Sequence, residues 1–367
     1  MKTLIIEKEK LQENIEKIKE ITEKSNQQVK IIAVVKCNGY GLGAVEYTKY
    51  LIENGIEIFA VSSVEEAVQL REAGIEKEIL MLSGIAIKEE VEKLIENDIT
   101  LTISSKEDIQ IIESIAEERE LQVRVHLKID TGMGRYGFVY NKIEELIEAL
   151  KSTKHIEIKG TYSHFSNSYY DKKYTEEQYR RFKETIEILK QNNIETGMLH
   201  ICNSSAFIKY PNMHLDAVRI GSAFLGRLSC KSDVKLNIIG YLETRVAEIK
   251  EIEKGSYVSY SNSYKTKKKT KIAILPCGYD DGFNITTGKD MFRKIDKIRN
   301  ISRAIKDLFK KEKILININN ESCEVLGRVG THHIVCDITD KNVSIGDKAI
   351  LRINPKYVDS STNREFR

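Results

Sequence analysis

The sequence predicts an α/β protein in which an N-terminal (β/α)8 barrel of the TIM type is followed by a mostly β C-terminal domain. Short β-branched runs alternate with amphipathic segments in the first 230 residues, and strand-like runs with few helices follow Cys230. Strand–helix alternation is typical of a parallel sheet, and about eight units in about 200 residues favour a closed barrel. No G-x-G-x-x-G opens a helix, which argues against an open dinucleotide-binding sheet.

The first half of the chain supplies the elements of this barrel. The predicted strands are Val29–Val35, Ile58–Ser62, Glu78–Ser83, Ile99–Ser104, Leu121–Ile129, Ile156–Ser163, Met198–Cys202 and Asp216–Ile220. Apolar residues recur at spacings of three and four between most of them, which indicates helices. The predicted helices are Glu65–Ala73, Lys88–Asn97, Glu107–Arg119, Lys142–Ser152 and Glu176–Asn192.

The second half is predicted to be a separate domain, with the barrel over residues 1–230 and the β domain over residues 231–367. Its predicted strands are Lys235–Leu242, Arg245–Ile252, Tyr257–Tyr260, Lys271–Leu275, Ile314–Ile318, Glu324–Val329, Ile334–Ile338 and Lys348–Ile353. Lys289–Lys313 interrupts them with a helical stripe that carries ten basic and four acidic residues. A solvated surface helix is the preferred interpretation. A contact with an acidic partner or nucleic acid is the alternative, but no aromatic residues interleave with the charges.

Composition narrows the class of protein. A 41% hydrophobic and 31% charged chain with net charge +3 is ordinary for a globular protein and does not favour nucleic acid as the main partner. The six cysteines are scattered without metal-ligand spacing, so we expect reduced thiols and no metal site. We find no signal-peptide pattern and no run of the ~18 apolar residues that a membrane helix needs, so we expect a cytoplasmic protein without membrane contact.

Polar side chains gather where the predicted strands end. Lys36 ends the first strand and precedes the glycine-rich segment CNGYGLG, where backbone could approach a ligand and Lys36 could form a Schiff base. The later strands deliver Tyr162, His164, His200, Asn203, Ser204 and Arg219. Active sites of such barrels lie at the carboxyl ends of the strands, so this convergence indicates a functional site.

The fifth strand alternates strictly between two kinds of residue. Arg124, His126, Lys128 and Asp130 share one face, and the opposite face is apolar. If the apolar face packs on the helices, the polar face points into the barrel, where unpaired charges are unfavourable. This column indicates either a functional site or a structural ion-pair network.

Eight segments of the sequence form a pattern that spans essentially the whole chain. They are AVVKCNGYGLG at 33–43, HLKIDTGMGRYGF at 126–138, YSHF at 162–165, HICNSS at 200–205, DAVRIGSAFLG at 216–226, VSYSNSY at 258–264, LPCGYDDG at 275–282 and GRVG at 327–330. Taken together, these segments resemble the alanine racemases, fold-type III enzymes that use pyridoxal 5′-phosphate (PLP).

The resemblance implies a role for each matching residue. It makes Lys36 and Tyr260 the two catalytic bases, with Tyr260 supplied by the other subunit of a homodimer with shared sites. The implied cofactor-binding residues are Lys36, Tyr40, His164, Asn203, Ser204, Arg219, Gly221 and Ser222. The implied substrate-binding residues are Arg135, Tyr279 and Thr331, and Lys128 stands where the family often has a carbamylated lysine.

These residue types suit racemisation, which removes the α-proton of an amino acid and returns one to the opposite face. Two bases are then needed, and an amine and a phenol are suitable. An unperturbed phenol has a pKa of about 10, so Tyr260 needs a nearby cation. Arg219 stays protonated, so the pyridine nitrogen that it faces stays unprotonated, which restrains side reactions.

Several positions depart from the family pattern and bear on the substrate. Leu42 replaces a histidine, Thr331 and His332 replace a Met-Asp pair, and Phe366 is loosely aligned with a phosphate-binding tyrosine. We therefore expect alanine as the substrate, with serine or another amino acid next. A fold-type III decarboxylase and a non-catalytic PLP-binding protein are the alternatives. The decarboxylase motifs are missing from the sequence, and the β domain that carries Tyr260 argues against the binding protein.

Overall fold

The computed structural model describes residues 2–24, 28–285, 294–309 and 313–367. Two compact units divide the chain: Lys8–Ile239 forms one, and the residues up to Glu7 together with those from Gly240 onwards form the other. The sequence-based boundary at residue 230 differs from this division. The segment 231–239 groups with the first unit, and the N-terminal strand groups with the second.

The first unit is a closed barrel of eight parallel strands. These strands are Lys30–Val34, Ile58–Val61, Glu78–Gly84, Thr100–Ile103, Val123–Asp130, Ile156–Tyr162, Met198–His200 and Ala217–Ile220. Each pairs with the next, and the pairing of Ala217–Ile220 with Lys30–Val34 closes the ring. All eight strands were predicted, with ends that differ by one or two residues, and the barrel prediction is confirmed.

One helix precedes the first of these strands, and others follow most of the strands. They are Lys8–Glu23, Ala44–Glu53, Val64–Glu72, Lys88–Glu96, Lys106–Glu118, Glu144–Lys151, Lys172–Gln191 and Ser204–Lys209. Five of them were predicted, and the first, second and last were not. Lys106–Glu118 shows how the sequence forms them: Ser105 and Asp108 make a capping box at its N-terminus, and Ile109, Ile112 and Ile115 are buried.

The second unit contains a nine-stranded sheet, which confirms the mostly β domain. Its strands, in spatial order, are Glu248–Ile252, Thr270–Leu275, Ile334–Asp337, Glu321–Val325, Leu315–Ile318, Lys348–Arg352, Tyr241–Arg245, Thr3–Ile6 and Asn363–Phe366. A separate hairpin pairs Tyr257–Val258 with Tyr264–Lys265. The strands Thr3–Ile6, Tyr264–Lys265 and Asn363–Phe366 were not predicted from the sequence.

The predicted strand Lys235–Leu242 is wrong over its first six residues, because strand structure begins only at Tyr241. The side chain of Asn14 forms hydrogen bonds with both backbone groups of Asn237. Its amide nitrogen donates to the Asn237 carbonyl at 2.8 Å, and its amide oxygen accepts the Asn237 N–H at 2.7 Å. These two bonds satisfy backbone groups that a sheet partner would otherwise use. The segment therefore docks on the first helix of the barrel unit.

The basic segment of the second unit is helical over Lys294–Phe309. The remainder of the predicted helix Lys289–Lys313 lies outside the described residues, apart from Lys313, which is not helical. Apolar side chains of this helix are exposed at Ile295, Ile298, Ile301 and Ile305. Across the described residues, no helix is both long and apolar enough to cross a membrane.

Candidate active site

The loop after the first barrel strand has an unusual backbone. Cys37, Asn38 and Gly39 have φ values of 53°, 52° and 63°, and Tyr40 follows at 55°. Four consecutive residues in the left-handed region make a turn that costs L-residues about 1–2 kcal/mol each, and strain of this kind clusters at functional sites. Lys36 stands at the start of this turn, half-buried at the carboxyl end of its strand.

The helix Val64–Glu72, which follows the second barrel strand, braces this turn through Glu66. One Glu66 carboxylate oxygen accepts the N–H of Cys37 at 2.5 Å, and the other accepts the N–H of Ser62 at 3.1 Å. On the other side of the turn, the side-chain oxygen of Asn38 accepts the N–H of Ala44 at 2.8 Å. The strained conformation is thus fixed from both sides.

Tyr40, Ser204 and Gly221 meet at the same end of the barrel. The Ser204 hydroxyl accepts the N–H groups of Gly221 at 3.2 Å and Ala223 at 3.3 Å. A Cβ on Gly221 would lie 2.4 Å from the Tyr40 hydroxyl oxygen, so only glycine fits there. Burial, with smaller effects of Cys37 and Glu66, raises the pKa of Tyr40 to about 12, so its hydroxyl remains a donor at neutral pH.

Arg219, on the eighth strand, is extensively hydrogen-bonded in the barrel interior. It is 3% exposed, and burial lowers its pKa to about 10, which leaves it charged at neutral pH. Its nitrogens contact Nδ1 of His200 at 2.6 Å and Nδ1 of His164 at 3.2 Å. They also donate to the carbonyls of His200, Ser163 and Ile201 at 3.1, 2.6 and 3.1 Å.

The charge of Arg219 shapes the titration of its neighbours. Burial and Arg219 lower the pKa of His126 to about 3, and they lower those of His164 and His200 well below the usual histidine value. Lys128 is 5% exposed, with its side-chain nitrogen 3.8 Å from the centre of the Tyr162 ring. Burial, then Arg219 and Arg135, lower the pKa of Lys128 well below the usual lysine value, which favours a neutral amine.

The four polar residues predicted on one face of the fifth strand differ in how deeply they are buried. His126 and Lys128 are buried in the barrel, whereas Arg124 pairs with Asp98 at 2.6 Å. Asp130 fixes the conformation of the following loop, because its carboxylate accepts the N–H groups of Gly132, Met133 and Gly134 at 2.9, 2.8 and 3.0 Å. This loop carries the exposed Arg135, whose charge contributes to the lowered pKa values of Lys128 and His164.

Tyr260 lies in the β unit on a strained turn. It is 73% exposed, and its neighbours Ser259, Ser261 and Asn262 all have positive φ. The Ser259 hydroxyl donates to the carbonyl of Arg328 at 2.5 Å. The turn is thus fixed at its base while the phenol projects from the surface of this unit.

The β unit also holds two of the three predicted substrate residues, Tyr279 and Thr331. The Thr331 hydroxyl donates to the Tyr279 hydroxyl at 2.7 Å, and the backbone N–H of Tyr279 donates to the carbonyl of Gly330 at 3.0 Å. His332 is exposed, with Nδ1 3.8 Å from the carboxylate of Asp280. The structure thus joins Tyr279 and Thr331 directly.

Comparisons with known proteins match both parts of the chain. The family profile described as alanine racemase, N-terminal domain, matches residues 6–228, and the one described as alanine racemase, C-terminal domain, matches residues 239–363. The chain belongs to the alanine racemase family. An alanine racemase of Methanococcus maripaludis is 36% identical over 90% of this chain and 84% of its own length. One from Clostridium perfringens is 37% identical over 88% and 79%.

Solved structures of this family share the fold. An alanine racemase of Clostridium difficile 630 superposes with a TM-score of 0.80 at 30% identity, over 99% of this chain and 88% of that one. An alanine racemase of Bacillus anthracis with bound L-Ala-P gives 0.82 at 25% identity, over 100% and 95%. Membership of the alanine racemase family makes this chain a racemase-type isomerase.

The structure also describes Asn203, Leu42 and Phe366, at which the resemblance implied a role or a departure from the family pattern. The amide oxygen of Asn203 caps the helix Ser204–Lys209 and accepts the hydroxyl of Ser168 at 3.0 Å, which accounts for its side chain structurally. Leu42, where the alanine racemases usually have histidine, is fully buried. Phe366 ends the edge strand of the β sheet, where it pairs with Ile6.

Sequence reasoning missed two supporting side chains. Glu66 follows Ser63 in an S-x-x-E pattern, which signals a helix start and could have drawn attention to its carboxylate. Gln178 links two strand ends: its amide nitrogen donates to the carbonyl of His164 at 3.2 Å and to the hydroxyl of Thr131 at 3.3 Å. No local signal marks it, since its partners lie on distant segments.

All six cysteines are free, and within the described residues no group of three potential ligands is arranged to hold a metal ion.

Proposed function

We propose that this protein interconverts L- and D-alanine, with PLP as its cofactor. Family membership supports the reaction class. The observation that carries the proposal is the cluster at the barrel end, where Tyr40, Ser204 and Gly221 are in contact and Arg219 is buried beside His164.

This cluster fits the chemistry of PLP. The hydroxyls of Tyr40 and Ser204 and the backbone of Gly221 and Ser222 would bind the phosphate, and the amine of Lys36 would attach the cofactor. Tyr40 approaches Gly221 so closely that no side chain fits at this position. The backbone of Gly221 is therefore not covered by a side chain of its own. When bound, PLP supplies an electron sink that acidifies the α-proton of the amino acid.

Arg219 would face the pyridine nitrogen and limit that electron sink. It stays protonated at neutral pH, and a guanidinium donates hydrogen bonds without readily giving up a proton. His164 and His200 would hold its plane through the contacts at 3.2 and 2.6 Å. We infer that this arrangement favours return of the proton over transamination.

Two bases would act on opposite faces of the substrate. The amine of Lys36 is one, and Tyr260 of the partner subunit is the other, in a homodimer with shared sites. The 73% exposure of the Tyr260 side chain on its own unit supports a role toward another surface. The lowered pKa of His164 beside Arg219 keeps that imidazole neutral, so Arg219 provides the cation near the phenol.

Arg135, Thr331 and Tyr279 would bind the substrate, with the Arg135 guanidinium on its carboxylate. Lys128 would orient Arg135 as a carbamate, formed when its neutral amine adds CO2 and releases a proton. The lowered pKa of Lys128 supports this, since only the unprotonated amine reacts. A ¹³C signal from labelled CO2 that is lost in Lys128→Arg tests it; an identical signal in both proteins would refute it.

Alanine is the proposed main substrate, and serine a second one. The test is a panel of L-amino acids incubated with the PLP-loaded protein and read by chiral chromatography and CO2 release. D-alanine should form fastest, followed by D-serine. Release of CO2 without a D-amino acid would instead support the decarboxylase alternative.

A further inference from the structure

A line of polar side chains crosses the interior of the barrel and leads from one proposed cofactor residue toward the opposite end. It starts at Arg219, whose Nη1 lies 2.6 Å from Nδ1 of His200. Nε2 of His200 lies 2.8 Å from Nδ1 of His126. Nε2 of His126 lies 4.0 Å from a carboxylate oxygen of Glu78, at the start of the third strand and hence at the opposite end of the barrel.

The hydrogen-bond donors in this line determine which nitrogen of each histidine ring carries the proton. A guanidinium can only donate, so Nδ1 of His200 accepts and its proton is on Nε2. That proton is donated to Nδ1 of His126, so the proton of His126 is also on Nε2. Both rings must be neutral, since a second proton on either would set two donors against each other. The lowered pKa values of both rings agree with this assignment.

The line ends on an unsatisfied donor. Nε2 of His126 is fully buried and has no hydrogen-bond partner within the described part of the chain. The ring is held in place, because a Cβ on Gly160 would come within 2.6 Å of it and Tyr162 contacts it edge-on. The carboxylate it faces has a side chain that is 35% exposed, so Glu78 has room to rotate toward the ring.

Arg219 needs such an anion. Among the described residues, its hydrogen bonds go to two imidazole nitrogens and three carbonyls, all uncharged. A buried charge without a counterion is unfavourable, and hydrogen-bond chains through polarisable groups transmit stabilisation. Burial raises the pKa of Glu78, and the charges of Arg124, Lys30 and Lys159 offset part of that rise.

We propose that Glu78 is a positioning residue: its carboxylate accepts the Nε2 proton of His126 and, through His126 and His200, orients and stabilises Arg219 at the opposite end of the barrel. The kinetic consequence rests on the proposed racemase function, whereas the hydrogen-bond chain does not. Glu78 therefore acts on the site without touching substrate or cofactor.

The experiment compares Glu78→Gln with Glu76→Gln in the full-length, PLP-loaded protein labelled with ¹⁵N at histidine and arginine. Glu76 lines the same 280 Å³ cavity as Glu78 and is the matched control. We expect NMR to show the Nε2–H tautomer at both rings. Glu78→Gln should move the resonances of His126, His200 and Arg219, and Glu76→Gln should leave them in place.

Kinetics provide the second measurement. Glu78→Gln should lower kcat for alanine by about threefold to tenfold with little change in KM, and Glu76→Gln should change it less than about twofold. An Nδ1–H tautomer, a charged imidazole, or equal shifts in both variants would overturn the proposal. If the protein lacks racemase activity while the resonances respond as expected, the proposed function fails and the chain from Glu78 to Arg219 stands.

Discussion

The hydroxyl of Thr331 donates a hydrogen bond to the hydroxyl of Tyr279 at 2.7 Å, and this contact occurs where the family usually has methionine. It replaces a flexible apolar side chain with a polar pair. His332, in place of aspartate, removes an anion from the same segment. We predict that both changes favour a substrate with a polar side chain.

The double change Thr331→Met with His332→Asp should therefore lower the preference for serine. We expect the serine-to-alanine ratio of kcat/KM to fall by about threefold to tenfold, or about 0.6–1.4 kcal/mol of transition-state binding. His333→Gln, next in the chain, is the control. A ratio that stays within about twofold would show that this segment does not select the substrate.

Lys36→Ala should abolish both cofactor attachment and activity, because the anchoring amine and one base are lost together. We expect the rate to fall by at least about 10³-fold. In the wild type, borohydride should fix PLP to the peptide that contains Lys36. Lys30→Ala, at the other end of the same strand, should keep the cofactor. A labelled peptide from elsewhere in the chain would contradict the assignment.

Inactive subunits should complement each other. If the protein is the proposed homodimer, a mixture of Lys36→Ala and Tyr260→Ala proteins should form heterodimers in which one of the two sites has both bases. Up to about a quarter of the wild-type activity should then return with statistical exchange. Mass spectrometry of differently tagged subunits checks that exchange has occurred. If heterodimers form and activity stays absent, both bases belong to one subunit.

Acid should destabilise the barrel through its buried histidines. His126, with a pKa of about 3, stays neutral in the folded state, but in the unfolded chain it takes up a proton near pH 6.5. The unfolded state then binds more protons, so stability falls as the pH drops from about 6.5 toward 3, by up to about 1.4 kcal/mol per pH unit for each such ring.

The variant His126→Gln isolates this effect. Urea unfolding at about pH 7 and about pH 5.5 should show a smaller pH dependence for the variant than for the wild type, by about one proton. His155→Gln, outside the barrel interior, is the control. An unchanged slope in His126→Gln would mean that the ring is already protonated in the folded protein.

The sequence predicted the barrel well because its signals are local. Runs such as Ile58–Val61 are apolar and lie between helices with regular apolar spacing, and all parallel strands deliver their last residues to one end. The strand pattern alone therefore assigns Lys36 and Arg219 to one site. Resemblance to a family added the proposed role of Tyr260, which no local pattern indicates.

The other features of the fold and site depend on contacts between distant residues, which the spacing of residues along the sequence does not encode. The contact of His126 with His200 crosses from the fifth strand to the seventh, and it requires the registers that place both rings at one depth. The segment before Tyr241 has the pattern of a strand, but the side chain of Asn14, more than two hundred residues away, holds its backbone. Such long-range hydrogen bonds override local propensity.

The most direct test of the two-base account is the fate of the α-proton during a single turnover of L-alanine in D2O. If Lys36 removes the proton from one face and Tyr260 of the partner subunit returns one from the other, the D-alanine formed should carry deuterium at its α-carbon. Mass spectrometry of the separated enantiomers measures this. D-alanine that retains the original proton would show that a single base serves both faces and would contradict the account.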